Sequence, residues 1–291
     1  MDNEQSIQAL KEYFSKRDDV VMAFLFGSRA KSRVHTSSDW DIGVYFTPQT
    51  DEFEFECTDR EYPEEHRIWA DLTTMLETDN VDLVILNRAP ASIADTAIRG
   101  EALVMKDRAL WLRFMLLISK LAEDYRIFAR EYHEIVQRSR SLLPQDRERL
   151  ERLIDFLEEQ ATLYPVYRSF SRDEYEEDPR KRNEIERWLE NMVNAVIDAG
   201  KVLLGSQKRL IPPTYREIVR RAVRMGDASD DFGEKFDQWV RLRNVLAHEY
   251  LDIKWKRLSD FAKISEPYMR QFIESAKRFL EENIDRKEQI P

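Results

Sequence analysis

Val20-Val21-Met22-Ala23-Phe24-Leu25-Phe26-Gly27-Ser28, followed after ten residues by Asp39-Trp40-Asp41-Ile42-Gly43-Val44-Tyr45-Phe46, is the stretch on which the reading of this chain turns. The first run is short and apolar and ends in a Gly-Ser pair, so it predicts a buried strand meeting a turn. Asp41 to Phe46 predicts a second strand. Asp39 and Asp41 are two apart, and on a strand that spacing puts both carboxylates on one face. Like charges held so close repel each other. A divalent cation removes the objection, because Mg²⁺ prefers carboxylate and phosphate oxygens.

Working outward, Val81 to Leu86 predicts a third strand, and Asp82 near its start can close the carboxylate group from a neighbouring strand. Gly27-Ser28 lets the backbone approach phosphates closely and adds a hydroxyl to bind them. The residues that follow can open a short helix whose N-terminus attracts anions. Each signal alone is weak, since most Asp-x-Asp pairs are surface or capping residues. Together they are a layout for two-metal chemistry on a nucleoside triphosphate. Helical stretches over about 4–17 and 61–77 flank the strands, so the first half reads as a small α/β unit. Residues 47–60, acidic and aromatic, read as an excursion from its sheet.

From about Leu110 the pattern changes to long helices, with Pro144, Pro179, Pro212 and Pro213 marking breaks and starts. Helices are expected over about 146–167, 180–204, 214–225, 231–250 and 256–284. The chain is therefore predicted to be α+β, with a first domain over 1–135 and an all-α bundle over 136–291. Seven cations (Lys201, Lys208, Arg209, Arg216, Arg220, Arg221, Arg224) and one acid, Glu217, fall within 201–224. They are either a face for a phosphate backbone or an ordinary solvated helix face. In the 231–250 helix, Phe232, Phe236, Trp239, Val240, Leu246, Ala247 and Tyr250 share an apolar arc with Arg243 near its centre. A guanidinium there must be paired or must line a cavity. His248 lies nearly opposite, beside Val245, which predicts a helix covered on both faces, by its own bundle and by another subunit. The plainer alternative is an arginine snorkelling to the surface and a histidine capping the helix end.

Composition bounds the function. At 291 residues the chain suggests about two domains. Lys plus Arg number 46 against 56 Asp plus Glu, and a net charge of −10 argues against a general nucleic-acid coat protein; no DNA partner is expected. Cys57 is the only cysteine, which excludes a disulfide framework and a zinc site built on several thiolates. The acidic start is unlike a signal peptide. The most apolar stretch, Leu110 to Ile118, contains Arg113 and is far short of the roughly 20 residues that span a bilayer. A soluble, cytoplasmic protein is expected.

The Gly27-Ser28 pair, the spacing to Asp39-x-Asp41, the Phe26–Ala30 segment and Val81-Asp82-Leu83-Val84 resemble the minimal, MNT-type branch of the polymerase β nucleotidyltransferases. The resemblance implies that Gly27 and Ser28 hold the phosphates of ATP. It implies that Asp39 and Asp41 bind Mg²⁺, and that Asp82 is a metal ligand and base. Arg243-Asn244-Val245-Leu246-Ala247-His248-Glu249-Tyr250 resembles the Arg-x4-His-x-Tyr motif of HepT-type HEPN ribonucleases. Pro213-Thr214-Tyr215-Arg216-Glu217 and Asp252 add to that likeness. It implies a homodimer whose Arg243 and His248 cleave an RNA partner without metal. As separate proteins, MntA and HepT form a toxin–antitoxin pair in which the transferase adenylylates the tyrosine of the toxin motif. Here both look fused, and Tyr250 is the matching acceptor. Antibiotic nucleotidyltransferases also pair such a domain with a helical bundle. The alternative is therefore transfer to an aminoglycoside-like molecule, with Glu52, Glu54 and Glu56 facing the cation.

Overall fold

Near-continuous burial of its two central strands sets the first sheet. In the computed structural model, β1 (Val20–Phe26) pairs antiparallel with β2 (Trp40–Phe46), β2 pairs parallel with β3 (Val81–Ile85), and β1 pairs antiparallel with β4 (Glu101–Met105). The order across this mixed sheet is β3-β2-β1-β4. Residues 3–30, 39–49, 54–57, 60–138, 142–225, 230–248 and 255–288 are described, as backbone alone at 230–231, 247–248 and 284–288.

Trp40, Ile42, Val44 and Phe46 point to one face of the sheet. There they join Leu10 and Phe14 of α1 (Asn3–Ser15) and Ile68 and Leu72 of α2 (Glu65–Leu76) in one core. Full burial of such side chains stabilises by roughly 1.5–3 kcal/mol each. Asp41, Gly43 and Tyr45 alternate onto the other face. That face is covered by α3 (Ala91–Ile98), whose Ala97 packs so closely on β2 that a Cβ on Gly43 would lie 3.1 Å from Ala97 Cβ. Tyr45 meets Phe114 edge to face at 5.0 Å. Phe114 belongs to α4 (Arg108–Gln137), a continuous helix.

The excursion after β2 is anchored by a buried acid. Glu54 is fully buried and accepts from Gln49 N at 2.8 Å, Tyr62 Oη at 2.8 Å and Asn87 Nδ2 at 2.8 Å, besides pairing with Arg60. Its neighbour Glu56, also buried, accepts from Ala91 N at the start of α3.

The chain divides into two compact units, Met1–Asp124 and Tyr125–Pro291, and this division and the expected 135/136 boundary both fall within α4. The second unit is all helical: α5 (Pro144–Ala161), α6 (Tyr164–Arg168), α7 (Arg172–Glu177), α8 (Pro179–Ser206), α9 (Tyr215–Val223), α10 (Asp230–His248), α11 (Trp255–Ile264) and α12 (Glu266–Glu288). Three of its helix starts carry side-chain caps. Ser171 and Glu174 form a capping box, Asp178 accepts from Arg180 N at 2.9 Å, and Thr214 accepts from Glu217 N at 3.2 Å. α8 is the central helix, buried almost all round from Met192 to Ser206. Two expected helices are split. The stretch 146–167 divides into α5 and α6 ahead of Pro165, and 256–284 divides at Ser265, ahead of Pro267. Ser265 is fully buried at that break and shares a 2.7 Å hydrogen bond with Tyr164. Among the described residues no helix is long and apolar enough to cross a membrane.

Replacing Glu54 by Ala leaves Arg60 and three polar groups without their acceptor. It is expected to destabilise the first unit by about 3 kcal/mol, read as a lower urea midpoint; a change below about 1 kcal/mol would show that the excursion is not held by this carboxylate.

Candidate functional site

In the first unit the β1–β2 register sets Phe26 opposite Asp41, and the β2–β3 register sets Asp41 opposite Asp82. Asp39 stands just before β2 and is exposed, as are Asp82 and Ser28; Asp41 is half-buried. Gly27 has a left-handed backbone, φ +72°, and a Cβ built there would fall 2.0 Å from Asp41 Oδ2. Only glycine lets the turn and the carboxylate occupy adjacent space. Arg29, in the same turn, lies over the Trp40 ring at 4.3 Å. Residues 31 and 32 lie outside the described residues.

Burial, and then the charges of Asp82 and Asp39, raise the pKa of Asp41 above its ordinary 3.8. The three carboxylates are thus electrostatic neighbours. Among the described residues, however, no group of three or more His, Cys, Asp or Glu side chains converges into a ready metal cage. Their donor set is all carboxylate oxygen, which suits Mg²⁺, and the left-handed Gly27 lets the turn's backbone approach a phosphate.

In the second unit the apolar arc of α10 is buried as expected at Phe232, Phe236, Trp239, Val240 and Leu246. Arg243 is half-buried and paired. Its Nε donates to Asn194 Oδ1 of α8 at 2.6 Å, its Nη1 to Asn244 Oδ1 at 3.0 Å, and its guanidinium lies 5.7 Å from the centre of the Tyr215 ring. Asn244 is 1% exposed, so Arg243 is steered from within the bundle. Neither asparagine was singled out from sequence; the signal available was an amide on a helix that is otherwise apolar around it.

The other face of α10 corrects one expectation. Leu242 and Val245 are buried by this chain's own helices, so no second subunit is needed to cover them. α10 is helical through His248, whose side chain lies outside the described set, as do Tyr250 and Asp252.

Most of the basic run at 201–224 is committed internally. Lys201, 2% exposed, pairs with Glu131 and with Asp198 at 3.0 Å. Lys208 donates to the carbonyls of Ile135 and Arg138 at the end of α4. Arg216 and Arg220 share Asp237, and Arg221 pairs with Glu217. Burial raises the pKa of Asp237 against the opposing pull of its two arginines. Glu54 and Glu56 face inward, so neither is offered to a cationic acceptor; Glu52 lies outside the described residues.

Comparison with protein-family models matches residues 8–109 to the polymerase beta, nucleotidyltransferase family and residues 147–276 to the ribonuclease HepT-like family. No curated protein matches the chain.

Two outcomes follow from the first site. Gly27→Ala drives a methyl into Asp41 and is expected to lower nucleotidyl transfer about 10²-fold, with the far-ultraviolet spectrum unchanged. For Asp41 the raised pKa means that the folded chain holds this proton more tightly than the unfolded chain, so its ionisation opposes folding as pH rises above 3.8. Asp41→Asn should therefore raise the melting temperature at neutral pH, with the gain shrinking as pH falls through the carboxylate range. A lower melting temperature at neutral pH would contradict that sign.

Proposed function

With a polymerase-β-type nucleotidyltransferase domain over 8–109 and a HepT-like ribonuclease domain over 147–276 on one chain, we propose that this protein modifies and silences itself. The first domain transfers AMP from ATP to Tyr250 of the second. The unmodified second domain cuts RNA, acting as a homodimer. The observation that carries this reading is Arg243, held at Nε and Nη1 by Asn194 and Asn244, while Nη2 has no hydrogen-bond partner among the described residues. A half-buried guanidinium oriented by two amides, with donors at Nη2 that no described residue takes up, is suited to an anionic substrate.

In the transfer step, Ser28 and the backbone of Gly27 receive the phosphates of ATP. Asp39 and Asp41 are the residues to hold Mg²⁺, with Asp82 completing the set. When bound, the metal offsets the repulsion among the carboxylates and draws charge from the phosphate oxygens. Asp82 accepts the proton of the Tyr250 hydroxyl as the phenolic oxygen bonds to the α-phosphorus. The bond to pyrophosphate breaks, and pyrophosphate leaves with the electron pair.

In the ribonuclease step, His248 takes the proton of the attacking 2′-hydroxyl and Arg243 stabilises charge on the phosphorane; the P–O5′ bond then breaks, leaving a 2′,3′-cyclic phosphate and a 5′-oxygen that leaves as the hydroxyl after taking up a proton. AMP on Tyr250 sets a bulky anion two residues from His248 and competes for both cationic groups. Transfer to a small cationic molecule has less support, because Glu54 and Glu56 are turned into the core.

Intact mass with peptide mapping, before and after incubation with Mg²⁺ and ATP, tests the proposal. AMP on the peptide carrying Tyr250, absent from Asp39→Asn and Asp41→Asn, is the expected result. No adduct in any sample, with that peptide fully observed, overturns self-modification. The transferase-silent variant should cleave RNA, and adding His248→Ala should slow cleavage about 10²–10⁴-fold.

A further inference from the structure

One helical turn from Arg243, where the end of α10 meets α8, α5 and α6, lies a groove of about 630 Å³ lined by Gln160, Tyr167, Glu184, Trp188, Asn191 and Leu246 among others. Asn191 precedes Asn194 on α8 by three residues, and Leu246 follows Arg243 on α10 by three. Because Arg243 and Asn194 are hydrogen-bonded, the groove continues the α8–α10 seam about 4.5 Å further on. Its floor is apolar: Trp188 is 2% exposed and stacks on half-buried Tyr167 at 4.5 Å. Its polar groups are amides, three carboxylates and the guanidinium of Arg187. Two of the acids are already engaged, Glu186 accepting from Tyr175 Oη at 2.6 Å and Glu190 pairing with Arg187 at 2.9 Å. Glu184 makes no hydrogen bond among the described residues, and its charge, after burial, raises the pKa of Tyr167, which puts the carboxylate near that ring.

We propose that this groove is a base-recognition subsite for unpaired guanine in the RNA whose phosphate meets Arg243. The inference rests on the ribonuclease reading above. An aromatic ring beside amide side chains is the usual equipment for binding a splayed-out base by stacking and by its hydrogen-bonding edges. The exposed carboxylate of Glu184, which also lies near Lys181, selects among bases. Guanine presents two adjacent donors, N1–H and N2–H₂, to a carboxylate's two oxygens, and Asn191 and Gln160 carry donors for O6 and N7. Adenine, cytosine and uracil each set an acceptor beside the donor, so a lone pair would face the carboxylate. With three carboxylates against one arginine, the lining favours a base over a phosphate at the Glu184 end and leaves the backbone to the Arg243 end.

The test measures binding and cleavage separately on the full chain carrying Asp41→Asn, with Tyr250 unmodified. Fluorescein-labelled tetranucleotides UUGU, UUAU, UUCU and UUUU are titrated and read by anisotropy, and cleavage of the same oligomers is followed by electrophoresis. UUGU is expected to bind at least about 10-fold more tightly than the other three, since stacking and edge contacts together reach that size. Tyr167→Ala and Glu184→Gln should each reduce the preference to about twofold or less; the melting temperature stays unchanged for exposed Glu184→Gln, the variant that isolates recognition, and falls for Tyr167→Ala, which loses its stacking on Trp188. Equal affinity for all four oligomers, or no binding of any, overturns the subsite. A guanine preference without cleavage leaves the subsite standing and overturns the ribonuclease reading. Cleavage with no base preference does the reverse.

Discussion

A carboxylate that is half-buried against two like charges is unfavourable wherever nothing offsets it, and the first unit is organised around one. Asp41 takes that position because β2 is paired on both sides, antiparallel with β1 and parallel with β3. Those pairings bring Phe26 and Asp82 level with it. The turn after β1 then has to be glycine, since the carboxylate occupies the space a side chain would need. Folding by itself gains nothing from this concentration of charge. The hydrophobic face of the sheet, with α1 and α2, supplies the stability that lets the opposite face stay strained in the electrostatic sense.

The second unit meets the same problem with the opposite sign. Arg243 sits where the helical period demands an apolar residue, and two amides with an aromatic ring make the position tolerable. Asn244 is almost wholly enclosed, so its amide has little freedom to turn away. Asp237, two turns earlier on α10, is enclosed as well and is shared by Arg216 and Arg220. α10 is thus tied to α8 and α9 by directional polar contacts as well as by packing. Such contacts fix how the helix is rotated about its axis, which apolar burial alone specifies loosely.

The parts legible from sequence were those with strong local signals. β1, β2 and β3 lie within a residue of their expected bounds because each is an apolar run closed by turn or polar residues. β4 gave no such signal: Glu101–Met105 has only Leu103 well buried and reads as an edge. α3, rich in Ala, Ser and Thr, was likewise silent until the close approach at Gly43 revealed what it packs against. In the candidate sites, Asp41, Asp82 and Gly27 were legible from spacing, and Arg243 from its misfit in the helical pattern. Asn194 was not, because it comes from another helix about fifty residues earlier, and only the tertiary crossing brings it to Arg243. The basic run at 201–224 was legible as charge, but its partners Glu131, Asp198 and Asp237 are set by packing.

The internal pairing of that basic run carries a consequence for how any polyanion meets this domain. Attraction to nucleic acid ordinarily draws on the release of small cations condensed along the phosphates, in proportion to the number of protein cations that replace them. Five side chains that look available in the sequence (Lys201, Lys208, Arg216, Arg220 and Arg221) already serve carboxylates or carbonyls of their own bundle. They have little left to exchange for sodium or potassium. A strand docking on this surface would lose less affinity to added salt than seven cations in the sequence suggest, with more of its grip left to the shape and edges of particular bases.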